Sequence, residues 1–340
     1  MIDKTERLIR TLLRTALSDD FSDRSFFSEL NKENWSEAFK KLSEQGLAAL
    51  SFEGVKKVPK ELAPPIEILL QWYSQQLAQI KQFNSQRSAI RELVELWESA
   101  GIQVKELKGQ DVGRLYPHPE LRFSCDFDCF LSDYELGNQI VEAKGVKVDR
   151  GFYKNSSFFW KGVYVENHRF CTPVRGSKEM KRLELALRNN LWNANFNALF
   201  LMEHMCSHFF EDALGLKQVM DWVLFRSRCW SEVDAELFER EARACGFWNF
   251  SQSIEQISER LLLPDSSMNF EDKYTQRLWE QIYAGGGSVE MNSGWRTRIQ
   301  LFANYFRNGW RYRAFSNHSS FYVLLRTIAA FLFDRNPKIN

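Results

Sequence analysis

The stretch Arg122-Phe-Ser-Cys-Asp126-Phe-Asp128-Cys-Phe-Leu131 decides how this chain is read. Two carboxylates stand two residues apart among apolar and small neighbours. Strand alternation predicts that Asp126 and Asp128 share one face, roughly 6–7 Å apart along the strand, while Phe127 and Cys129 enter a core. Two like charges this close are costly unless a cation or a proton lies between them. The pair is a candidate metal site.

Working outward, Ile102 to Leu107 alternates loosely and reads as a short strand that ends at Lys108-Gly109. Gln110 to Tyr116 follows as a short helix, stopped by Pro117 and Pro119. Downstream, Asp133 is placed to cap a helix running to Ala143, and Val146–Tyr153 and Phe158–Arg169 read as further strands. The same alternation puts Glu166 and His168 on one face. Strand, helix, strand, helix, strand, strand makes an α+β core over 101–172.

Both flanks read as helix. Residues 3–18, Asn34–Glu44 with Gly46 as its stop, and Ile66–Ala100 carry apolar positions at helical spacing or long runs without Pro or Gly. Beyond Lys178 the same holds for Asn195–Phe210, which reads as amphipathic, and for Leu216–Phe225, Ala235–Cys245 and Ile254–Leu263. A glycine-rich loop is expected at Ala284–Gly287. The expected organisation is an N-terminal helical region (1–100), a small mixed-sheet core (101–172) and a C-terminal helical region (173–340), mostly helical overall.

Composition bounds the function class. A net charge of +1 argues against bulk attraction to nucleic acid or an anionic membrane. The arginine- and aromatic-rich stretch from Trp295 to Phe315 is accordingly expected to pack on the body rather than bind nucleic acid. No apolar run is long enough to span a bilayer, and the N-terminus lacks a signal-peptide profile. Six cysteines without a CxxC pair suggest free thiols and a cytoplasmic protein. His204 and His208 share a helix face, but Glu203 precedes the first histidine, so the metalloprotease pattern is absent and packing or hydrogen bonding is expected of them.

Leu107-Lys-Gly109, Tyr116-Pro, Leu121-Arg122, Asp126-Phe-Asp128 and Val165-Glu-Asn-His168 together resemble the uncharacterised bacterial nucleotidyltransferase family, within the polymerase-beta-like superfamily. His204, His208 and Leu216–Asp221 resemble that family's helical half. The resemblance implies a small mixed-sheet nucleotidyltransferase core that holds Mg²⁺, with Mn²⁺ as the alternative, on Asp126, Asp128 and Glu166. It implies an NTP and an acceptor as partners, with Lys108, Gly109, Arg122 and His168 on the substrate side. The physical chemistry agrees, because a hard cation takes carboxylate and phosphate oxygens and a glycine lets backbone approach phosphate. Gln110 departs from the superfamily pattern, in which a small or hydroxyl residue follows the turn. Two rival readings stand beside transfer: a nucleotide-binding regulator without turnover, and a helical interaction scaffold.

Overall fold

The computed structural model describes residues 3–18, 21, 24–151, 153–172, 177–210, 214–264, 267–285, 308–319, 321, 322 and 325, with the Gln110 side chain left out. Among these residues the chain begins with helices α1 (Lys4–Leu17), α2 (Arg24–Phe27), α3 (Lys32–Glu44), α4 (Ala48–Lys56) and α5 (Ile66–Glu98). Strand β1 (Val104–Glu106), helix α6 (Gln110–Gly113), strand β2 (Asp126–Leu131), helix α7 (Tyr134–Ala143) and strands β3 (Asn155–Trp160) and β4 (Val163–His168) follow. Then come α8 (Lys178–Asn189), α9 (Ala194–Phe210), α10 (Leu216–Cys229), α11 (Ala235–Cys245), α12 (Trp248–Leu261), α13 (Lys273–Ala284) and α14 (Gly309–Phe315). The fold is α+β, mostly helical, with one small mixed sheet.

Local chemistry explains the element ends. Asp3 caps α1 by accepting from the Thr5 N–H, and Asp133 caps α7 by accepting from Leu136. Helix α5 starts after Pro64-Pro65, spans roughly 50 Å at helical rise, and stops before Gly101, whose φ is +80°. Its tryptophans fasten both ends. The Trp72 indole donates to the Ala48 carbonyl, and the Trp97 indole donates to the Gly137 carbonyl.

The sheet order is β1-β2-β4-β3, with β2 and β4 parallel and the other pairs antiparallel. The apolar run expected as one strand from Phe158 to Arg169 is a hairpin instead. Lys161 and Gly162 both take positive φ, +48° and +84°, which is the backbone of a two-residue hairpin turn. The strand expected over Val146–Tyr153 reduces to a single bridge between Asp149 and Ser157. The helix expected over Gln110–Tyr116 is one turn.

Buried apolar side chains form two clusters. The larger is shared by helices from both ends of the chain, and the smaller packs α5 and α7 against Phe127, Cys129, Leu131, Phe158, Trp160, Val163 and Val165 of the sheet. One sheet face is thus filled, and its opposite face carries Asp126 and Asp128 of β2 and Glu166 and His168 of β4. Helix α9 is buried nearly all round rather than amphipathic, because neighbouring helices enclose it. Trp310, Tyr312 and Phe315 of α14 are buried against the body, whereas residues 286–307, which include Gly286-Gly287 and the first half of the aromatic tail, lie outside the described residues. No described helix is long and apolar enough to cross a membrane.

The tightest helix contact rests on a glycine. A Cβ at Gly54 of α4 would lie 2.2 Å from the Leu12 carbonyl oxygen of α1. Backbone cannot rotate away as a side chain can, so Gly54→Ala must push the two helices apart. We expect a loss of about 2 kcal/mol, read as a melting temperature lower by several degrees, despite the better helix propensity of alanine.

Candidate active site

The sheet face opposite the smaller cluster gathers the acidic residues. In the parallel pair β2–β4, Asp128 lies opposite Glu166 and Phe130 opposite His168, so alternation brings Asp126, Asp128, Glu166 and His168 to the same side. Ligand atoms of Asp128, Glu166 and His168 all fall within 4.8 Å of one another. Asp126 is not in that group but stands beside it on the strand. Lys108 enters from the turn after β1, where Leu107 N–H donates to the Asp128 carbonyl.

Asp128 is the hub. It is only 3% exposed, its Oδ1 lies 2.9 Å from His168 Nε2, and its Oδ2 lies 2.9 Å from Lys108 Nζ. The same His168 Nε2 is 3.3 Å from Glu166 Oε2. Burial alone would raise the Asp128 carboxyl, but the His168 hydrogen bond and the Lys108 charge hold it well below the usual range. Lys108 answers in kind. Burial works against its ammonium, and the charges of Asp128, Asp126 and Glu166 overrule burial and raise it. Asp126 goes the other way from Asp128, pushed up by burial and by the negative charge of Asp128.

Gly109 follows Lys108 with φ of +73°, and a Cβ there would lie 2.6 Å from the Glu106 carboxylate. The positive φ is what favours glycine at this turn, since the Glu106 carboxylate is the end of a side chain that can swing aside. A helix of one turn carries little aligned dipole, so α6 adds little to anion binding at this turn.

Arg122, expected at the triphosphate, is turned elsewhere. Its Nε and Nη2 donate to the two oxygens of Asp221 on α10, each at 2.8 Å, and the Tyr116 hydroxyl donates to Asp221 as well. All three side chains are buried. Burial would lower the guanidinium, and Asp221 more than restores it; burial and Asp221 together push the Tyr116 phenol well up. The bidentate geometry locks the segment entering β2 onto the helical half. Asp128, Glu166, His168 and Lys108 thus come together with Asp126 and Gly109 beside them, and Arg122 is paired with Asp221 instead.

The helical half adds groups that strand reasoning missed. Lys217, at the start of α10, donates to the Phe123 carbonyl at 3.3 Å, just before β2. His204 and His208 of α9 meet Nε2 to Nε2 at 2.9 Å, as the hydrogen-bonding reading expected. Burial and the charges of Lys108, Lys217 and Lys154 push His208 down to about 4, and burial with Lys108 lowers His204 too. Because the folded value lies below the unfolded one, the unfolded chain takes up a proton first. His208 therefore contributes stability above about pH 6.5 that is lost as pH falls toward 4. His208→Gln should flatten that segment of the urea-midpoint profile relative to wild type.

The model of a family described as uncharacterised nucleotidyltransferase matches residues 31–262, from α3 to the end of α12. The chain belongs to this family. No curated protein and no solved structure matches it. The matched span contains the whole sheet, Lys108-Gly109, the acidic face and the Arg122–Asp221 lock, so family membership covers every element that builds the site.

Proposed function

We propose that this chain moves a nucleoside monophosphate from an NTP to a hydroxyl- or phosphate-bearing acceptor and releases pyrophosphate. The observation that carries this reading is the convergence of Asp126, Asp128, Glu166, His168 and Lys108 on one face of the sheet.

The residues fit a divalent cation. Two carboxylates and an imidazole lie within 4.8 Å, and Asp126 is already pushed up by burial and by the negative charge beside it, a strain that a cation would relieve. Asp126, Asp128 and Glu166 would hold Mg²⁺, with Mn²⁺ as the alternative. When bound, such an ion neutralises charge on the phosphate oxygens and favours ionisation of the acceptor. His168 holds Asp128 and Glu166 in register. Lys108 offers its ammonium to the phosphates, and the Gly109 backbone approaches them without a side chain in the way. The acceptor oxygen forms a bond to the α-phosphorus as the bond to the bridging oxygen of pyrophosphate breaks. Glu166, whose side chain is 28% exposed, takes the acceptor proton.

The test is pyrophosphate release with each NTP across sugars, amino acids, peptides and RNA ends, with Mg²⁺ or Mn²⁺ and with chelator. Release that requires metal and one acceptor class supports transfer. A second reading has its own observation: Lys108 and His168 already satisfy both Asp128 oxygens, the arrangement of a self-neutralised site. NTP binding without release in every arm would favour that nucleotide-binding regulator.

A further inference from the structure

The acidic face of the sheet continues past the carboxylates onto two aromatic rings. Asp126 lies opposite Tyr164 of β4, and Tyr164 lies opposite Phe159 of β3. In the next row Asp128 lies opposite Glu166, and Glu166 opposite Ser157. Ladder partners project to the same side, so Tyr164, Phe159 and Ser157 share the face of Asp126, Asp128 and Glu166. Their chain neighbours Phe158, Trp160, Val163 and Val165 enter the smaller core on the other side. The Phe159 and Tyr164 ring centroids are 5.2 Å apart, with the planes inclined at 56°. Strands are spaced about 5 Å apart, so β4 and β3 lie about 5 and 10 Å from the strand that carries Asp126.

Phe159 is 65% exposed on the last strand of the sheet. A cross-strand pair steadies the hairpin, but a β-branched residue would do that without leaving a phenyl ring in water, where it invites association. Its position relative to the chemistry gives it a use. Lys108-Gly109 reaches Asp128 from the β1 side, whereas Glu166 lies across β2 on β4. In-line displacement sets the leaving pyrophosphate and the attacking oxygen on opposite sides of the α-phosphorus. With the phosphates toward Lys108-Gly109, the acceptor comes in over β4 and β3.

Charge and polarity on that side narrow the acceptor. Asp126 and Glu166 adjoin Tyr164, and Lys161, two residues beyond Phe159, is paired with Glu92, so an anionic acceptor would face carboxylates. Ser157 and Glu166 in the next row suit hydroxyl groups. Flat apolar rings beside hydroxyl-binding groups complement a sugar, which is apolar on its C–H face and polar around its rim.

We propose that Phe159 and Tyr164 form the acceptor platform and that the acceptor is an uncharged sugar. Its hydroxyl oxygen bonds to the α-phosphorus, its proton passes to Glu166, and the bond to pyrophosphate breaks with the electron pair leaving on the bridging oxygen. The proposal rests on the nucleotidyl-transfer reading for the direction of attack, but sugar binding to the rings does not need turnover.

The probes are methyl glycosides of common hexoses and pentoses, titrated into the full chain without nucleotide and followed by saturation-transfer NMR, with adenosine as a second ring. Wild type should bind at least one glycoside more tightly than adenosine. Phe159→Ile keeps strand propensity and apolar area but loses the flat face, and should weaken that binding about tenfold, as should Tyr164→Leu. Phe159→Trp should stay close to wild type. Trp192→Ala removes an exposed ring between α8 and α9 and should change nothing. Phe159→Ile should also bind NTP in Mg²⁺ as wild type does and melt within a few degrees of it. Failure of every glycoside to bind, binding indifferent to both rings, or an equal loss in Trp192→Ala would each overturn the platform. Preference for adenosine, or an NTP affinity that falls with the glycoside's, would assign the rings to the nucleobase and overturn it too. If Phe159→Ile does not fold, the ring is structural and the platform is again overturned. The two readings fail separately. Glycoside binding that depends on Phe159, with no pyrophosphate release from any NTP, keeps the platform and removes transfer. Metal-dependent transfer indifferent to Phe159 and Tyr164 keeps transfer and removes the platform.

Discussion

Asp128→Asn should lower metal-dependent pyrophosphate release by about a thousandfold or more, equivalent to roughly 4 kcal/mol of transition-state stabilisation. Asparagine keeps the shape of the side chain and loses its charge. One oxygen that now faces Lys108 Nζ or His168 Nε2, each 2.9 Å away, becomes an amide nitrogen that can no longer accept a hydrogen bond. Lys108 loses the counter-ion that burial obliges it to have. The variant should remain folded, because the rest of β2 is held by its ladder to β1 and β4 and by the core beneath Phe127 and Cys129. Far-UV circular dichroism beside the activity assay checks this. Turnover within tenfold of wild type would remove Asp128 from the reacting centre.

The largest stability effect is expected at Asp221. This carboxylate receives two bonds from Arg122 and one from Tyr116, all at 2.8 Å and all buried. Asp221→Ala leaves the guanidinium buried and uncompensated, and such a loss costs about 3–5 kcal/mol. Urea denaturation should show it as a lower midpoint with an unchanged slope. The double variant Arg122→Met with Asp221→Leu should recover much of the loss, since replacing both partners leaves no buried charge. Single variants within about 1 kcal/mol of wild type would mean that water reaches the pair and the lock is not one.

The site's floor was legible because it depends on short-range regularity. Strand alternation alone places Asp126 with Asp128 and Glu166 with His168, and Gly109 is marked by a turn whose positive φ favours glycine. What joins those pieces is not periodic. Arg122 and Asp221 are 99 residues apart, so nothing local in the chain says that a guanidinium beside two aspartates will choose a third on a distant helix. Lys217 is hidden for the same reason: its environment is made by Phe123 and Asp126, which reach it only through the fold. Helix α4 carries no stripe to detect, because Ala48 to Val55 is buried on nearly every side and Gly54 interrupts its propensity. The β3–β4 hairpin was concealed by apolar residues on both sides of Lys161-Gly162, a turn whose signal is two residues long.

The central claim is that Asp126 and Asp128 hold a divalent cation through which the chain engages an NTP. The direct measurement is calorimetric titration of the full chain with each NTP, in Mg²⁺ and in chelator, for wild type and for Asp126→Asn with Asp128→Asn. The account predicts binding that requires Mg²⁺ in wild type and is lost in the double variant. Binding of equal strength in both proteins, or indifferent to Mg²⁺, would contradict it.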